Sequence, residues 1–312
     1  MNYHCNACQK KFSPADEYYI SCGAHKVPVI KGIPRFVTDG SYASAFGSQW
    51  NRFRTTQLDS ISGLNISRER LERCIHPLTL AGLRGKKILE IGCGAGRFTE
   101  ILLASGAEVV SVDLSIAVDA NSENFPISPC HVILQADAAA LPFEDEKFDL
   151  AICLGVMQHT AEPNAVIQSM YRLTKIGGHI VFDHYRATVS FLTRMLPLYR
   201  FALKKMKIRD SLQFTARLVD LFFPLHQVFG RSHISYALLS RVSPIVSYFH
   251  AYPTFTLGQQ REWSILDTHD SLFDFHKRLH TRKTLFKWLK GLGITPHRLA
   301  VGGIGLEVLI KK

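Results

Sequence analysis

A chain of 312 residues, 46% hydrophobic and 20% charged, is an ordinary globular composition that excludes intrinsic disorder and suits one large α/β domain with an appendage, or two domains. No stretch reaches the roughly 18 uninterrupted apolar residues of a membrane-spanning helix, and the opening MNYHCNACQK has no signal-peptide core, so a cytoplasmic location is expected. The formal charge of +11 favours anionic partners (nucleic acid, acidic or phosphorylated metabolites, a membrane surface) without choosing among them.

Residues 1–38 carry cysteine, histidine and turn residues. Cys5-x-x-Cys8 and Cys22-x-x-His25 form two knuckles around a hairpin-like segment, offering four soft or borderline donors as tetrahedral zinc prefers. Without a secretory leader, metal binding reads better than disulfides, and four filled positions make such a site structural rather than catalytic. The other reading leaves them unligated in a degenerate ribbon. Cys74, Cys93, Cys130 and Cys153 stand singly and read as small buried hydrophobes.

Residues 39–84 are mixed and polar, with Phe46, Trp50 and Phe53 at helical spacing. Residues 85–185 alternate β-rich runs with helical segments: KKILEIG, EVVSVDLS, HVILQAD, FDLAICLG and GGHIVFDHY as strands, RFTEILLASG and PNAVIQSMYRLTK as helices, the latter stopped by Gly177–Gly178. Alternation of this kind implies a mostly parallel sheet covered on both faces. Residues 186–270 are helical, basic and aromatic. In SFLTRMLPLYRFALKKMK, Phe191, Leu192, Met195, Tyr199, Leu203 and Met206 share a face, with Arg194, Arg200, Lys204 and Lys207 elsewhere. Such a segment reads as a cover over a core or, in isolation, as a membrane-surface helix. Residues 271–312 hold a last helix and two strand-like runs joined at Gly302–Gly303, expected as an antiparallel hairpin on one sheet edge.

The stretch KILEIGCGAGRFTE puts Gly92, Gly94 and Gly96 behind the first strand, where bare backbone turns tightly and admits a ligand at the strand's carboxyl end. A dinucleotide fingerprint would need a third glycine where Arg97 stands, and Glu90 is awkward beside a pyrophosphate. A carboxylate there suits a ligand with cationic groups. Asp113 ends the second strand, where an acid can accept both hydroxyls of a ribose. Asp137 ends the third, where it can accept from the exocyclic amine of an adenine.

This ordered set resembles the class I S-adenosylmethionine-dependent methyltransferases, in the branch typified by the type 11 methyltransferase domain, over about residues 85–185 and more loosely at the terminal strands. The resemblance implies a doubly wound, mostly parallel, seven-stranded Rossmann-like sheet with S-adenosylmethionine as cofactor. It implies further that Glu90 is the acid ending the first strand, and that Gly92, Cys93, Gly94 and Gly96 form the loop under the methionine moiety. Asp113 with Leu114 would hold the ribose, and Asp137 with Ala138 the adenine. Leu154 and Gly155 would lie beside the sulfonium. The block FGSQWNRFRTTQLDS then reads either as core packing or as a lid, with Gln49, Trp50 and Arg54 closing over the methionine end. The N-terminal segment resembles the zinc ribbon preceding some bacterial methyltransferases, including certain ribosomal RNA guanine methyltransferases. His25 follows Cys22 one position sooner than in those RNA enzymes, which weakens the RNA analogy.

Methyl transfer from a sulfonium is an in-line displacement in which the enzyme orients the acceptor and sometimes removes its proton. Candidate bases are His159 in GVMQHT, His184 in FDHY and His269 with Asp270 in LDTHDS; each also has a packing reading. LGVM at residues 154–157 stands where an (N/D)PP(Y/F) tetrad would mark amino-group methylation; its absence is normal for oxygen, carbon or sulfur acceptors and also motivates the scaffold alternative. The expected acceptor is a small molecule or glycan intermediate, methylated at oxygen or carbon and roofed by the 186–270 insertion. RNA is the alternative acceptor, and a non-catalytic cofactor-binding scaffold is the alternative class.

Overall fold

The computed structural model describes residues 2–37, 44–188, 194–203, 206, 208–303 and 305–312. Apolar runs that alternate between two covered faces build its centre. Strands β1 (Ser13–Pro14), β2 (Tyr19–Ser21), β3 (Lys26–Ile30) and β4 (Ile33–Pro34) form a small antiparallel sheet. Strands β5 (Lys87–Ile91), β6 (Glu108–Asp113), β7 (His131–Gln135), β8 (Phe148–Cys153), β9 (Thr174–Tyr185), β10 (Arg298–Gly302) and β11 (Gly305–Lys311) form the main sheet, in the order β10-β11-β9-β8-β5-β6-β7. The five central strands are parallel, whereas β11 runs antiparallel to both β9 and β10. This is the expected doubly wound Rossmann-like sheet, with its terminal hairpin on one edge.

Successive side chains on a strand point to opposite faces. Ile88, Val109, Leu150 and Val181 therefore meet the helices Ile66–Ile75 and Thr99–Ala104, and Leu89, Val110, Ala151 and Ile180 meet the helices Pro163–Leu173 and Arg282–Gly291. Full burial of each large aliphatic side chain is worth about 1.5–3 kcal/mol. Gly177–Gly178 do not end a helix as the sequence suggested. The helix stops at Leu173, and the glycines lie within β9, where the register jumps from Phe148 opposite Thr174 to Leu150 opposite His179.

The helix Ser44–Arg52 ends before Phe53, and the expected boundary near 38–39 falls outside the described residues. The helix Leu257–Phe273 faces the carboxyl ends of the strands and runs through the expected division at 270; Leu196–Leu203 and Ile208–Phe229 pack against it, and His233–Val242 against Ile208–Phe229. A reciprocal cap starts that helix: the Thr256 hydroxyl accepts from the Gln259 amide at 3.2 Å, and the Gln259 side chain accepts from the Thr256 amide at 2.9 Å. Phe191, Leu192, Lys204 and Lys207 lie outside the described residues. Cys74, Cys93 and Cys153 are buried as expected, but Cys130 is exposed in the turn before β7. Among the described residues no helix is long and apolar enough to cross a membrane.

The small sheet docks beside β7. The amide of Phe36 donates to the carbonyl of Gln135 at 2.8 Å, and Tyr3 packs between the rings of Phe36 and Phe143. The His4 amide donates to the Pro142 carbonyl at 2.9 Å and the Asn6 side chain to the Ala140 carbonyl at 2.7 Å, tying this sheet to the loop after β7.

Candidate active site

At the carboxyl ends of β5, β6 and β8 lies a cavity of about 660 Å³, where open α/β sheets bind ligands. Its wall includes Trp50, Gly92, Cys93, Gly94, Asp113, Leu114, Asp137, Ala138, Leu154 and Gly155, ten of the residues expected around a cofactor. Glu90 and Gly96 are not among those lining it.

The glycine turn explains both exceptions. Gly94 has φ +52°, and a Cβ there would stand 3.3 Å from the Trp50 indole, so the ring lies on bare backbone. At Gly96, with φ +100°, a Cβ would fall 2.5 Å from the Phe125 ring. Gly96 thus makes room for protein rather than ligand. Glu90 shares a face of β5 with Ile88 and is turned behind the loop, where it accepts from Thr99 Oγ1 at 2.6 Å and Ser111 Oγ at 2.9 Å. Burial pushes its carboxyl up to about 7.

Asp113 sits in the wall with much of its acceptor capacity engaged. Its Oδ2 accepts from the Gly94 amide at 3.0 Å, and its Oδ1 from the Ser115 amide at 2.8 Å and hydroxyl at 2.7 Å. Burial raises its pKa against the pull of those donors. Asp137 is exposed at the rim, with Oδ1 accepting from the Ala139 amide at 2.9 Å. The Gly155 amide donates to Asp183 Oδ1 at 2.6 Å, and Asp183 Oδ2 takes Arg70 Nη2 at 2.5 Å. Asp183 is 1% exposed, so this pair fixes the β8 end from beneath while Arg70 faces the cavity.

The cap supplies the opposite wall. Asp267 and Asp270, one helical turn apart, both line the cavity, with Tyr185, Tyr248, Tyr252 and Trp263. Burial pushes Asp267 up to about 7 and Asp270 up to about 6, each raised further by a neighbouring carboxylate. Arg97, in the third-glycine position of a dinucleotide loop, lies between the rings of Phe98 and Trp263 and donates to Ser67 and Gln57. Burial lowers its pKa to about 10.

The four candidate bases separate sharply. His159 lines the cavity; its Nδ1 lies 3.0 Å from the His276 carbonyl and 3.1 Å from Asp274 Oδ2. The His276 carbonyl only accepts, so Nδ1 carries the proton, with Asp274 Oδ2 beside it as a charge and not a hydrogen-bond partner; Nε2, which no described residue engages, is the basic nitrogen. Asp270 lines the cavity with Oδ1 accepting from Gln49 Nε2 at 2.7 Å. His184 does not line it: the ring is 1% exposed, packs on His280, and burial lowers its pKa to about 4. His269 is likewise turned away, held between Ser211 Oγ and Gln49 Oε1 and lowered by burial to about 4. Of the expected lid residues, Trp50 lines the cavity, Gln49 is buried behind it and holds Asp270, and Arg54 pairs outside it with Glu123.

Sequence reasoning missed Arg70, Asp183, Tyr185, Asp267 and Asp274. Strand periodicity would have found one pair, since Asp183 and Tyr185 share a face of β9 and His184 takes the other.

Away from the cavity, the donor atoms of Cys5, Cys8, Cys22 and His25 all lie within 4.8 Å of one another. Cys5 Sγ to His25 Nδ1 is 3.4 Å, Cys8 Sγ to Cys22 Sγ 3.5 Å and Cys22 Sγ to His25 Nδ1 3.6 Å. A tetrahedron with zinc–sulfur bonds near 2.3 Å has edges of about 3.8 Å. Donor set and spacing both fit zinc.

Residues 89–182 match the family model described as "Methyltransferase domain". Among curated proteins, a ubiquinone biosynthesis O-methyltransferase of Pseudomonas putida is 32% identical over 109 residues, 33% of this chain and 46% of that one. Its Pseudomonas fluorescens counterpart is 36% identical over 105 residues, 33% of this chain and 45% of that protein. The chain thus spans just under half the length of the curated relatives it matches. Among solved structures, the 1,6-didemethyltoxoflavin-N1-methyltransferase of Burkholderia thailandensis aligns over 96% of this chain and 98% of its own, at 12% identity and TM-score 0.44. The magnesium protoporphyrin IX methyltransferase of Synechocystis aligns over 86% and 94%, at 15% identity and TM-score 0.44.

Proposed function

We propose, because residues 89–182 match a methyltransferase domain, that this chain transfers a methyl group from S-adenosylmethionine to a small-molecule or glycan acceptor, at oxygen or carbon. One observation carries the reading: a single cavity is lined on one side by the glycine turn, Asp113 and Asp137 and on the other by His159 and the cap carboxylates. Donor and acceptor can therefore meet in one cavity. The partial likeness to O-methyltransferases supports oxygen as the acceptor atom.

S-adenosylmethionine supplies an electrophilic methyl group on a sulfonium. The protein's share is to bind, orient and deprotonate. Asp113 and Asp137 accept hydrogen bonds from the ribose and adenine ends. Gly92 and Gly94 line the cavity, Gly92 admitting the Val156 side chain and Gly94 the Trp50 ring, which covers the methionine end. His159 takes the proton of an acceptor hydroxyl at Nε2, while the His276 carbonyl holds its ring and the Asp274 charge stabilises the imidazolium that forms. Tyr248, Tyr252 and Trp263 line the cap side of the cavity.

Calorimetric titration with S-adenosylhomocysteine tests the first half of this reading, and saturable binding is expected. No heat at millimolar ligand would refute it. Turnover of labelled S-adenosylmethionine with extract fractions tests the second half, the label appearing in a small organic product that His159→Asn fails to make.

A further inference from the structure

The cap has a second face, turned away from the cavity. Three helices build it, and each leaves apolar residues uncovered at helical spacing beside an exposed arginine. In and before Leu196–Leu203 these are Arg194, Leu198 and Phe201; in Ile208–Phe229, Arg217, Leu221, Leu225 and Val228; in His233–Val242, Ile234, Leu238, Arg241 and Val242. Exposure reaches 82% at Phe201, 71% at Leu221, 69% at Val228 and 73% at Ile234, far from what a fold tolerates by accident in one layer. The three helices are neighbours. The Met195 amide donates to the Arg241 carbonyl and the Tyr199 hydroxyl to the Val242 carbonyl, both at 2.7 Å, and Ile208–Phe229 packs against His233–Val242.

The charge of this segment selects its occupant. Residues 194–242 hold nine basic and two acidic side chains, giving them seven of the chain's eleven net positive charges, of which the Arg200 charge is turned inward onto buried Asp274. One of the two acids, Asp220, is already paired with Arg261 at 2.6 Å. A second copy of the chain would bring like charges together across the apolar stripe. A nucleic acid would meet the arginines but leave the leucines and phenylalanine against water. The interface of an anionic bilayer satisfies both at once, headgroup phosphates taking the arginines and acyl chains the apolar residues.

We propose that the outer face of the cap docks on anionic lipid membranes as a peripheral, non-spanning contact. The proposal stands apart from the catalytic reading, since none of these residues lines the cavity.

Flotation of the intact protein with phosphatidylglycerol-containing and pure phosphatidylcholine vesicles tests it. The chain is expected to float with the former only, and less as salt rises. The double variant Leu221→Asp/Val228→Asp and the triple variant Arg194→Gln/Arg217→Gln/Arg241→Gln should each lose about tenfold or more in partitioning. Titration with S-adenosylhomocysteine reports whether each variant keeps its cofactor site, so a misfolded variant is recognised and replaced by the arginine set alone. The proposal is overturned by absence from anionic vesicles, by equal retention on neutral ones, or by variants that float like the parent. It is equally overturned if sedimentation shows a dimer that the aspartate substitutions dissociate, or if the arginine variants abolish RNA binding while vesicle binding never occurs.

Discussion

Replacing Asp113 by alanine should weaken S-adenosylhomocysteine binding by an amount the structure sets. A carboxylate offers about four acceptor positions. Three are taken, by the Gly94 amide on Oδ2 and by the Ser115 amide and hydroxyl on Oδ1. One strong position remains, on Oδ2, for one ribose hydroxyl rather than the two expected from sequence. A hydrogen bond to a charged group contributes about 1.5–3 kcal/mol, so the dissociation constant should rise about 10- to 150-fold. Calorimetric titration measures this directly. A ribose analogue lacking one hydroxyl closes a double-mutant cycle: one of the two positions should show its penalty in the parent and lose it in the variant, the other should not. Asp113→Ala also frees three protein donors, so its melting temperature should fall. Asp113→Asn retains an acceptor for Ser115 and serves if the alanine variant does not fold. A rise in dissociation constant of less than about threefold in both variants would refute the placement of the ribose, being under the weakest charged hydrogen bond.

Other outcomes follow from the same geometry. His159→Asn should lower turnover about 10²- to 10⁴-fold with little change in S-adenosylhomocysteine affinity, and parallel loss of both would make His159 a packing residue. Asp267 keeps its proton to about 7 in the fold through burial and through Asp270, against an ordinary 3.8. The unfolded chain therefore ionises first, and stability falls as pH rises between those values. Asp267→Asn should accordingly gain nothing near pH 4 and about 1–2 kcal/mol near pH 8, allowing for water in the cavity, by thermal melts across pH. A pH-independent gain would remove the titration argument. Cys8→Ser/Cys22→Ser should abolish bound zinc in elemental analysis. It should also weaken S-adenosylhomocysteine binding about fivefold, because His4 and Asn6 hold the Pro142 and Ala140 carbonyls of the loop after β7. Unchanged affinity would uncouple the two sites.

The sheet was readable because parallel strands covered on both faces become continuous apolar runs such as KILEI and FDLAIC, bounded by glycine or acid. Asp113 and Asp137 were readable for the same reason, since a strand's end marks the ligand edge of such a sheet. Glu90 misled, because adjacency to the glycines carries no information about which face of β5 it occupies. His269 misled in a related way. Its neighbour Asp270 shares a helix face with Asp267, three residues earlier, and the histidine is turned about a quarter of the circumference away. Arg70 and Asp274 gave no local signal. The partners that define them, Asp183 at 2.5 Å and His159 at 3.1 Å, lie 113 and 115 residues distant in the chain.

The cysteine-rich strands do more than gather four donors. β7 is the last strand of the main sheet on its side, and Arg35 and Phe36 meet its end while Ile33 seals a cluster with Cys93, Val118 and Ile133. If these four donors hold zinc, its loss would bare that margin, offering unpaired backbone and aliphatic surface to any other extended segment. Scarcity of zinc would then be felt as a shorter lifetime of soluble protein, through clumping and clearance, before it is felt as slower chemistry.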